Sequence, residues 1–417
     1  MNSEQALSSS FYSEEGVQNQ EVELEAGAIP VGLMRVSNPK IGIGGAYGTW
    51  GTSYDNREIL GFLEQRLGQA PSLADQLNLA ELGFQRRHHI GHLSPAQNVQ
   101  LEVEVGARIL REAAAARGWD AGEVDAVLLG ITAPIAADYL EQVTKVAGIR
   151  SDALKVMVHK ACDGSVSSLH LALNPNLPEN QTLSPSIAER VHGKKVLVGG
   201  IEGLSRFLYS TRDTNALQLF GNAAGAFGFI PGKEIRFLAG SSREAFDTEG
   251  VLQVKMQYQH SVSNAAHESN VEVTEIGPTT IRVAGLMHEP ENGSSVSMAG
   301  PMGMVKLFVR TGVQVVTEAY EAYQNLMQRL EQTPRIAVAI VHHANYKINK
   351  LKEKQLVGLG IKFPMPWLLS EFGNVSAASN MIAFLRQLPK LRPGDHVLFD
   401  GFGAGTYYDV LAVEMGV

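Results

Sequence analysis

Short, almost uninterrupted apolar runs constrain the fold of this chain more than any other feature of its sequence. Residues 124–132 read Val-Asp-Ala-Val-Leu-Leu-Gly-Ile-Thr, which is typical of a strand that is covered on both faces. Segments with helical periodicity, such as residues 102–116, alternate with these runs. The order strand, helix, strand, helix, strand, strand predicts an α/β sandwich with a mixed sheet and not a barrel of equal units.

The second half of the chain repeats this order. Residues 335–341 predict another buried strand, and each half ends in two strands separated by a glycine-rich turn, at residues 221–225 and 401–405. This pattern favours an internal duplication in which strand ends from both halves meet at the centre. We therefore expect three parts: an N-terminal extension that is flexible or wraps the surface (1–39), a half that carries the nucleophile (40–235), and a half that carries a histidine and an asparagine (236–417).

Composition and charge limit the classes of function. The 417 residues carry a net charge of −8, which argues against nucleic-acid binding because phosphate contacts need a basic surface. A single cysteine excludes an intramolecular disulfide and fits a reducing cytoplasm. The first 30 residues contain no lysine or arginine, so no secretory or transit signal is expected, and no apolar stretch reaches the ~18 residues needed to cross a bilayer. We expect a cytoplasmic protein that binds neither nucleic acid nor membrane.

The one cysteine, Cys162, follows an apolar run at residues 154–158 and precedes a helix-like segment. The dipole and free N–H groups of a helix N-terminus favour thiolate over thiol, so a cysteine there can be a nucleophile with a lowered pKa. A lone cysteine is also commonly a small buried apolar residue. Residues far downstream decide between the two interpretations.

Two downstream segments carry polar groups of interest. The strand predicted at residues 335–341 runs directly into His-His-Ala-Asn at residues 342–345, so a histidine would leave the second-half strand that matches the strand before Cys162. Farther on, a turn rich in small residues carries the amide of Asn374. Each segment alone has an ordinary structural explanation, because histidines after strands are often structural and Gly-Asn is a common turn.

The combination of these segments is more specific than either alone. Residues 342–345 resemble the His-Gln-Ala-Asn segment, and residues 373–379 (Gly-Asn-Val-Ser-Ala-Ala-Ser) the Gly-Asn-Thr-Ser-Ala-Ala-Ser segment, of β-ketoacyl-acyl-carrier-protein synthase III. The glycine turn at residues 220–226 resembles that family's Phe-Gly-Asp-Gly-Ala-Gly-Ala, and the resemblance spans about residues 41–413. It implies a homodimer with the thiolase fold, a duplicated five-layered α-β-α-β-α arrangement with mixed sheets.

The same resemblance implies a reaction between two acyl thioesters. Cys162 would take an acyl group from coenzyme A or acyl carrier protein, because transfer to sulfur preserves a thioester. His342 and Asn374 would donate hydrogen bonds to the enolate of the second thioester. Backbone N–H groups of Cys162, Gly403 and Ala404 would hold the other oxyanion. Neither a metal nor a bound cofactor is implied, since the thioesters of coenzyme A or phosphopantetheine are the substrates.

Two further segments bear on specificity. Asp-Tyr-Leu-Glu at residues 138–141 resembles the loop of head-to-head condensing enzymes of olefin synthesis, whose glutamate enters the other subunit's site as a base. Glu141 would then deprotonate a substrate Cα, although acids in a first helical turn are also common. A set of lysines resembles the family's basic helix that docks acyl carrier protein, with a solvated helix face as the alternative: Lys347, Lys350, Lys352 and Lys354.

The sequence thus predicts an acyltransferase that joins long acyl or β-ketoacyl chains by ping-pong Claisen condensation, in specialised fatty-acid or polyketide biosynthesis. Asp-Gly-Ser at residues 163–165 replaces the Ala-Gly-Phe of the fatty-acid enzyme, which argues against a housekeeping role, and Asp163 would raise the thiol pKa or shape the acyl tunnel. The alternatives are a decarboxylative, fatty-acid-initiating synthase that uses malonyl-acyl carrier protein, acyl transfer to an oxygen or nitrogen acceptor, and a non-catalytic partner subunit.

Overall fold

The structure is a computed structural model that describes residues 18–26, 29–91, 93–132, 135–207, 211, 213–245, 247, 249–255, 270–290, 294–298 and 300–416. The strands are β1 (Gln18–Ala26), β2 (Ile29–Asn38), β3 (Ile43–Trp50), β4 (Thr52–Asp55), β5 (Arg86–His89), β6 (Ala126–Gly130), β7 (Leu154–His159), β8 (Val196–Glu202), β9 (Ala223–Phe229), β10 (Ile235–Glu244), β11 (Leu252–Val254), β12 (Val271–Gly277), β13 (Thr280–Gly285), β14 (Val296–Met298), β15 (Ile336–Val341), β16 (His396–Gly403) and β17 (Tyr407–Met415). The helices are α1 (Glu58–Leu67), α2 (Pro95–Ala115), α3 (Tyr139–Ala147), α4 (Gly164–Leu173), α5 (Pro178–Gln181), α6 (Ile187–Val191), α7 (Leu204–Phe207), α8 (Thr214–Leu219), α9 (Gly300–Arg329), α10 (Tyr346–Gly358) and α11 (Ala378–Gln387).

Two mixed sheets form the frame. The first has the strand order β1-β2-β3-β9-β8-β6-β7-β13-β12, and the second has the order β10-β17-β16-β15. In the first sheet β6 is parallel to β7 and β8, while β9 is antiparallel to β8 and β3. In the second sheet β16 is parallel to β15, and β17 is antiparallel to β16 and β10. The strand order and directions of β3-β9-β8-β6 therefore recur in β10-β17-β16-β15, as an internal duplication requires.

The duplication is incomplete at one edge. Among the described residues no strand of the second sheet corresponds to β7, and Ala339 N–H in β15 instead donates to Pro364 O at 2.8 Å. By strand order β15 matches β6. The prediction that His342 follows the counterpart of the strand before Cys162 is therefore wrong, because that strand is β7.

The helices complete five layers. Helices α2 and α3 cover the outer face of the first sheet, α4 and α11 pack between the two sheets, and α9, with α10 against it, covers the outer face of the second. Helix α4 is buried over almost its whole length, since both sheets cover it. This confirms the predicted α-β-α-β-α arrangement. Within the described part of the chain, no helix combines the length and apolar character needed to cross a membrane.

The N-terminal extension differs from the prediction. Strand β2 pairs with β3 over residues 31–38, and its Leu33 and Val36 are buried in the core. Residues 29–38 are therefore part of the first sheet and not a flexible or surface-wrapping segment. Strand β1 pairs in turn with β2, while residues 1–17 lie outside the described part. The division between residues 235 and 236 stays a prediction; hairpin β12–β13, from beyond that division, joins the first sheet beside β7.

Candidate active site

Cys162 lies in a 3-10 turn, Ala161–Asp163, between β7 and α4. Ala161 has a φ of 47°, a left-handed conformation that costs energy for a residue with a side chain and that concentrates at functional sites. The turn also approaches β6 closely, since a Cβ on Gly130 would lie 2.2 Å from the backbone carbon of Gly164. Glycine at residue 130 therefore lets the nucleophile turn rest on the carboxyl end of β6.

The environment of the thiol raises its pKa. Burial is the main cause and takes the pKa of Cys162 to about 12; Glu202 and Asp163 add to the rise, and the Ser376 hydroxyl opposes it. The expected lowering by the helix N-terminus is therefore wrong for the resting site, because desolvation disfavours the thiolate more strongly. The thiol is protonated at neutral pH, so attack on an acyl group requires a group that takes its proton.

One turn, residues 374–379, connects the predicted site residues. Its Ser376 Oγ donates to Cys162 Sγ at 3.0 Å, and its Ser379 Oγ contacts His342 Nδ1 at 2.5 Å. Ser376 has a φ of 45°, which places a second left-handed residue beside the thiol. The turn leads into α11, the helix that the second half inserts between the sheets. Groups from both halves of the chain therefore meet around it.

The two adjacent histidines have different surroundings. His343 is held at both ring nitrogens: Nδ1 contacts Val341 O at 2.8 Å, and Nε2 accepts from Leu368 N–H at 2.9 Å. His342 is engaged by Ser379 through Nδ1, which leaves Nε2 as the atom that can meet a substrate. Burial lowers the pKa of His342 to about 3, so the ring is neutral at physiological pH. Only a neutral imidazole, not an imidazolium, can act here.

The amide of Asn374 is oriented from both ends. Its Oδ1 accepts the N–H of Ser376 at 3.0 Å, and its Nδ2 lies 3.4 Å from Ala344 O, two residues after His342. Asn-X-Ser contacts of this kind are Asx turns, which fix a side-chain amide by its own backbone. Because Nδ2 has two hydrogens, one remains to donate to a substrate oxygen.

The glycine loop after β16 lies directly against the nucleophile turn. A Cβ on Gly403 would be 2.9 Å from Cys162 N and 2.4 Å from Lys160 O. Ala404 lines a small apolar cavity at the thiol, with Leu204, Phe220, Leu252, Val254 and Val296 among the other lining residues. A second cavity touches Asn374 and is lined largely by Leu77, Leu82, Leu219, Met298 and Met304. Apolar space therefore adjoins both Cys162 and Asn374, which suits acyl chains.

Glu141 stands apart from this group. It lies in the first turn of α3, is half-buried, and does not line the cavity at Cys162. Its charge acts on Lys155 near the start of β7, where it opposes the lowering of the Lys155 pKa by burial. Its Oε2 atom is buried and has no hydrogen-bond partner among the described residues. Among the described residues, Glu141 takes no part in the hydrogen bonds that hold Cys162, His342 and Asn374.

The predicted docking lysines do not share one surface. Lys352 is fully buried and forms an ion pair with Asp400 at 2.5 Å, so its assignment to carrier docking is wrong. Lys347, Lys350 and Lys354 are exposed on α10. Lys347 forms an ion pair with Glu81, and Lys350 forms one with Glu353. The positive charge of this helix face is therefore partly neutralised.

A polar network lies behind Cys162. Lys160 forms an ion pair with Glu179, and His170 Nδ1 contacts Asp409 at 2.6 Å, all of them buried. Asp163 faces this network, and burial with the nearby Asp409 charge raises the pKa of Asp163 well above its usual range. Asp163 contributes to the raised pKa of the Cys162 thiol, as predicted, and its part in shaping an acyl tunnel stays a prediction.

Three residues of the site had no role assigned from the sequence: Ser376, Thr132 and Glu202. Ser376 lies within the Gly-Asn-Val-Ser-Ala-Ala-Ser segment, which does not show on its own that this serine contacts Cys162. Thr132 and Glu202 follow or end the parallel strands β6 and β8. Side chains at the carboxyl ends of adjacent parallel strands meet at one sheet edge, but the sequence alone does not show that β6 and β8 are neighbours. The described residues contain no cluster of histidine, cysteine and acids suited to a metal ion.

Comparison with known proteins agrees with this architecture. Residues 329–415, which include His342 and Asn374, match the family model described as 3-oxoacyl-[acyl-carrier-protein (ACP)] synthase III C terminal. The 3-oxoacyl-[acyl-carrier-protein] synthase III of Aquifex aeolicus has a similar solved structure, with 18% identity, a TM-score of 0.60, and coverage of 87% of this chain and 96% of that one. The chain has the thiolase fold of synthase III.

Other synthase III-like structures are similar to the same extent. The Pseudomonas aeruginosa synthase III shares 21% identity at a TM-score of 0.57, covering 88% of this chain and 95% of its own. The 1,3,6,8-tetrahydroxynaphthalene synthase of Streptomyces coelicolor, a bacterial type III polyketide synthase, shares 12% identity at a TM-score of 0.57, with coverage of 88% and 96%. No curated protein is significantly similar in sequence. The predicted resemblance to synthase III is thus confirmed for the C-terminal region and for the fold.

Proposed function

We propose that the protein is a condensing enzyme that forms a carbon–carbon bond between two acyl thioesters through an acyl-Cys162 intermediate. The observation that carries this proposal is the turn at residues 374–379, which contacts Cys162 through Ser376, holds His342 through Ser379 and carries Asn374 itself. A nucleophile and two donors around apolar space are the parts that a thioester Claisen reaction needs. Substrates are acyl-coenzyme A, acyl carrier protein, or both.

The reaction has two steps in this proposal. Cys162 sulfur attacks the first thioester carbonyl and expels its thiol, while N–H groups of Cys162 and of the Gly403–Ala404 loop stabilise the oxyanion. The second thioester then becomes an enolate, either by loss of a Cα proton to the carboxylate of Glu141 from the other subunit or, in a malonyl thioester, by loss of its carboxyl group as CO2. The enolate oxygen accepts hydrogen bonds from His342 Nε2 and Asn374 Nδ2. The enolate carbon attacks acyl-Cys162, forms the new carbon–carbon bond and releases the Cys162 thiolate.

The first step has a direct test. We expect incubation with long-chain acyl-coenzyme A to add one acyl mass per chain, detected by intact-mass spectrometry and mapped to the peptide that contains Cys162. Cys162→Ala should show no adduct. A full-length, folded protein that stays unmodified with acyl-coenzyme A and with acyl carrier protein donors alike would contradict the proposal and favour a non-catalytic partner subunit.

The proposal also covers condensation without loss of a carboxyl group, for which Glu141 is the candidate base. The Glu141 carboxylate has a buried Oε2 without a described partner, and burying such an oxygen unpaired costs about 1–3 kcal/mol. The base would be the carboxylate of Glu141, which does not line the cavity at Cys162 of its own chain. The proposal therefore includes a homodimer in which Glu141 serves the other subunit's site.

Glu141→Gln is expected to abolish condensation of two simple acyl thioesters, because the amide cannot take the Cα proton, while acylation of Cys162 persists. Condensation with malonyl-acyl carrier protein, which generates the enolate by decarboxylation, should be largely retained as an internal control. Mixing the Glu141→Gln and Cys162→Ala proteins should restore product if the residue acts between subunits. Unchanged condensation in Glu141→Gln would remove the base role.

A further inference from the structure

The Cys162 thiol requires a proton acceptor, and its hydrogen-bond contacts lead to one. Ser376 Oγ is 3.0 Å from Cys162 Sγ and 2.6 Å from Thr132 Oγ1. Thr132 Oγ1 is in turn 2.7 Å from Glu202 Oε1. All four side chains are buried, so the path from the thiol to the carboxylate runs inside the protein.

The fold sets this path by strand register. Gly130 in β6 pairs with Gly200 in the parallel strand β8, so Thr132 and Glu202, two residues beyond each, lie side by side at the same sheet edge. Thr132 N–H donates to Glu202 Oε1 at 3.0 Å, and Ala377 N–H, next to Ser376, donates to it at 3.2 Å. The carboxylate is therefore held by both the first half and the turn at residues 374–379.

The number of protons fits a relay. Three contacts join the thiol, two hydroxyls and one carboxylate, and three protons are available when Glu202 is ionised. In one state the thiol donates to Ser376, Ser376 to Thr132 and Thr132 to Glu202. In the other, protonated Glu202 donates to Thr132, Thr132 to Ser376 and Ser376 to the thiolate. Each contact has one proton in both states, so neither state leaves a buried donor or acceptor unmatched.

We propose that Glu202 accepts the Cys162 proton through Thr132 and Ser376. Ser376 touches the reacting sulfur, whereas Glu202 acts through the two hydroxyls. His342 is less suited to this role, because Ser379 engages its Nδ1 and the enolate requires its Nε2 as a donor.

The charges around this path favour proton transfer to Glu202 at and above about pH 8. Burial raises the pKa of Glu202 to about 8, against the lowering effect of its contacts with Thr132, Ala377 N–H and Ser376. A carboxylate with a raised pKa is a stronger base than an exposed glutamate. The other titratable groups nearby are Asp163, with Lys160 and Asp409 behind it, His342 across the turn, and Glu102, whose Oε1 lies 2.3 Å from a Cβ built on Gly203.

The acylation step, which rests on the proposed function, conserves the number of bonds and protons. The sulfur–carbon bond to Cys162 forms as its proton moves to Ser376, the Ser376 proton to Thr132, and the Thr132 proton to Glu202. The bond from the carbonyl carbon to the leaving sulfur then breaks. The proton returns along the same path to the leaving thiolate, so Glu202 ends as the carboxylate with which it began.

Alkylation of Cys162 by iodoacetamide tests the relay without any acyl substrate. In the wild-type protein we expect the rate to rise as Glu202 ionises and then to level off. Glu202→Gln cannot accept a proton, so its rate at pH 8 should be about 10- to 100-fold lower and should keep rising with pH as hydroxide replaces the lost base. Intact-mass spectrometry follows the single alkylated cysteine.

A pair of substitutions at Thr132 separates proton transfer from packing. Thr132→Val keeps the shape but removes the hydroxyl and should lower the rate as Glu202→Gln does; Thr132→Ser should restore it. Equal rates for the Val and Ser proteins, or a wild-type pH profile in folded Glu202→Gln, would overturn the relay. If the relay profile holds but acyl donors leave no adduct, the proposed condensing function fails and the relay stands.

Discussion

His342→Ala is expected to lower carbon–carbon bond formation about 100- to 1,000-fold, while Cys162 still takes an acyl group. Loss of one preorganised oxyanion donor typically has this effect, because the donor acts on charge that develops only in the transition state. Acylation should survive, since the contacts of Cys162 run through Ser376 and not through His342. Single-turnover assays, with pre-acylated protein for condensation and intact mass for acylation, measure the two steps separately.

The pH dependence of condensation checks the same role. The pKa of His342 is lowered to about 3, so the ring stays neutral from about pH 5 upward and does not change charge near pH 6.5. Condensation by pre-acylated protein should therefore show no titration with an apparent pKa near 6.5. The neutral-donor role would be contradicted by two results together: a wild-type rate that falls as pH drops through 6.5, and a His342→Ala rate that does not. Such a pair of results would indicate an imidazole that ionises.

His343 is the matched control, because it is adjacent, equally buried and equally a histidine. Both of its ring nitrogens have backbone partners, at Val341 and Leu368, so its substitution should act through folding. We expect His343→Ala to lower the melting temperature and to affect acylation and condensation alike. If His343→Ala instead abolished condensation but left acylation of Cys162 intact, the assignment of the donor to His342 would be wrong.

The sequence predicted the participants of the site better than their contacts. Cys162, His342 and Asn374 each lie after a predicted strand or in a turn, and the combination of motifs identified them. The link between them is Ser376, 214 positions from Cys162 in the chain. Hydrophobic patterning predicts where strands end, but it does not give the register between β6 and β8 that places Thr132 beside Glu202. That arrangement also depends on close packing between layers, where Gly130 meets Gly164 and Gly200 meets Ala377.

The pKa of Cys162 illustrates a related difference. Its position before a helix was predicted correctly, and the dipole argument from that position is sound in isolation. Burial between two sheets dominates instead, because desolvation of a thiolate grows with the number of layers that cover it. Local sequence cannot report this, since the covering residues, such as Ala404 and Phe220, come from distant segments.

Lys352 is a case in which the sequence did contain the signal. Ile348, Lys352 and Leu356 recur every four residues on α10, so they share one helix face. All three are buried, whereas Lys350 and Lys354 lie on the exposed side. Helical periodicity would have separated Lys352 from the surface lysines, and a lysine on an apolar face requires an acid within the core.

Removal of that lysine is expected to destabilise the fold strongly. Lys352→Ala leaves the Asp400 carboxylate buried without its 2.5 Å partner, which should lower the free energy of unfolding by about 3–5 kcal/mol. The backbone carbonyl of Asp400 accepts the N–H of His342 at 2.9 Å, so the buried ion pair lies next to the proposed donor residue. Urea denaturation measures the loss, and Lys354→Ala, exposed on the same helix, should change stability by less than about 0.5 kcal/mol.

Two further measurements identify buried charge as the cause of this loss. Burial raises the pKa of Asp400 and Lys352 opposes the rise, so without Lys352 the folded protein binds a proton more readily than the unfolded chain. Stability of Lys352→Ala should therefore increase as pH falls from neutral toward the ordinary carboxyl range, which reduces its deficit. The double variant Lys352→Met with Asp400→Asn removes both charges and should recover much of the loss. An equal deficit in the single and double variants would mean that packing, and not the unpaired carboxylate, holds α10 against the second sheet.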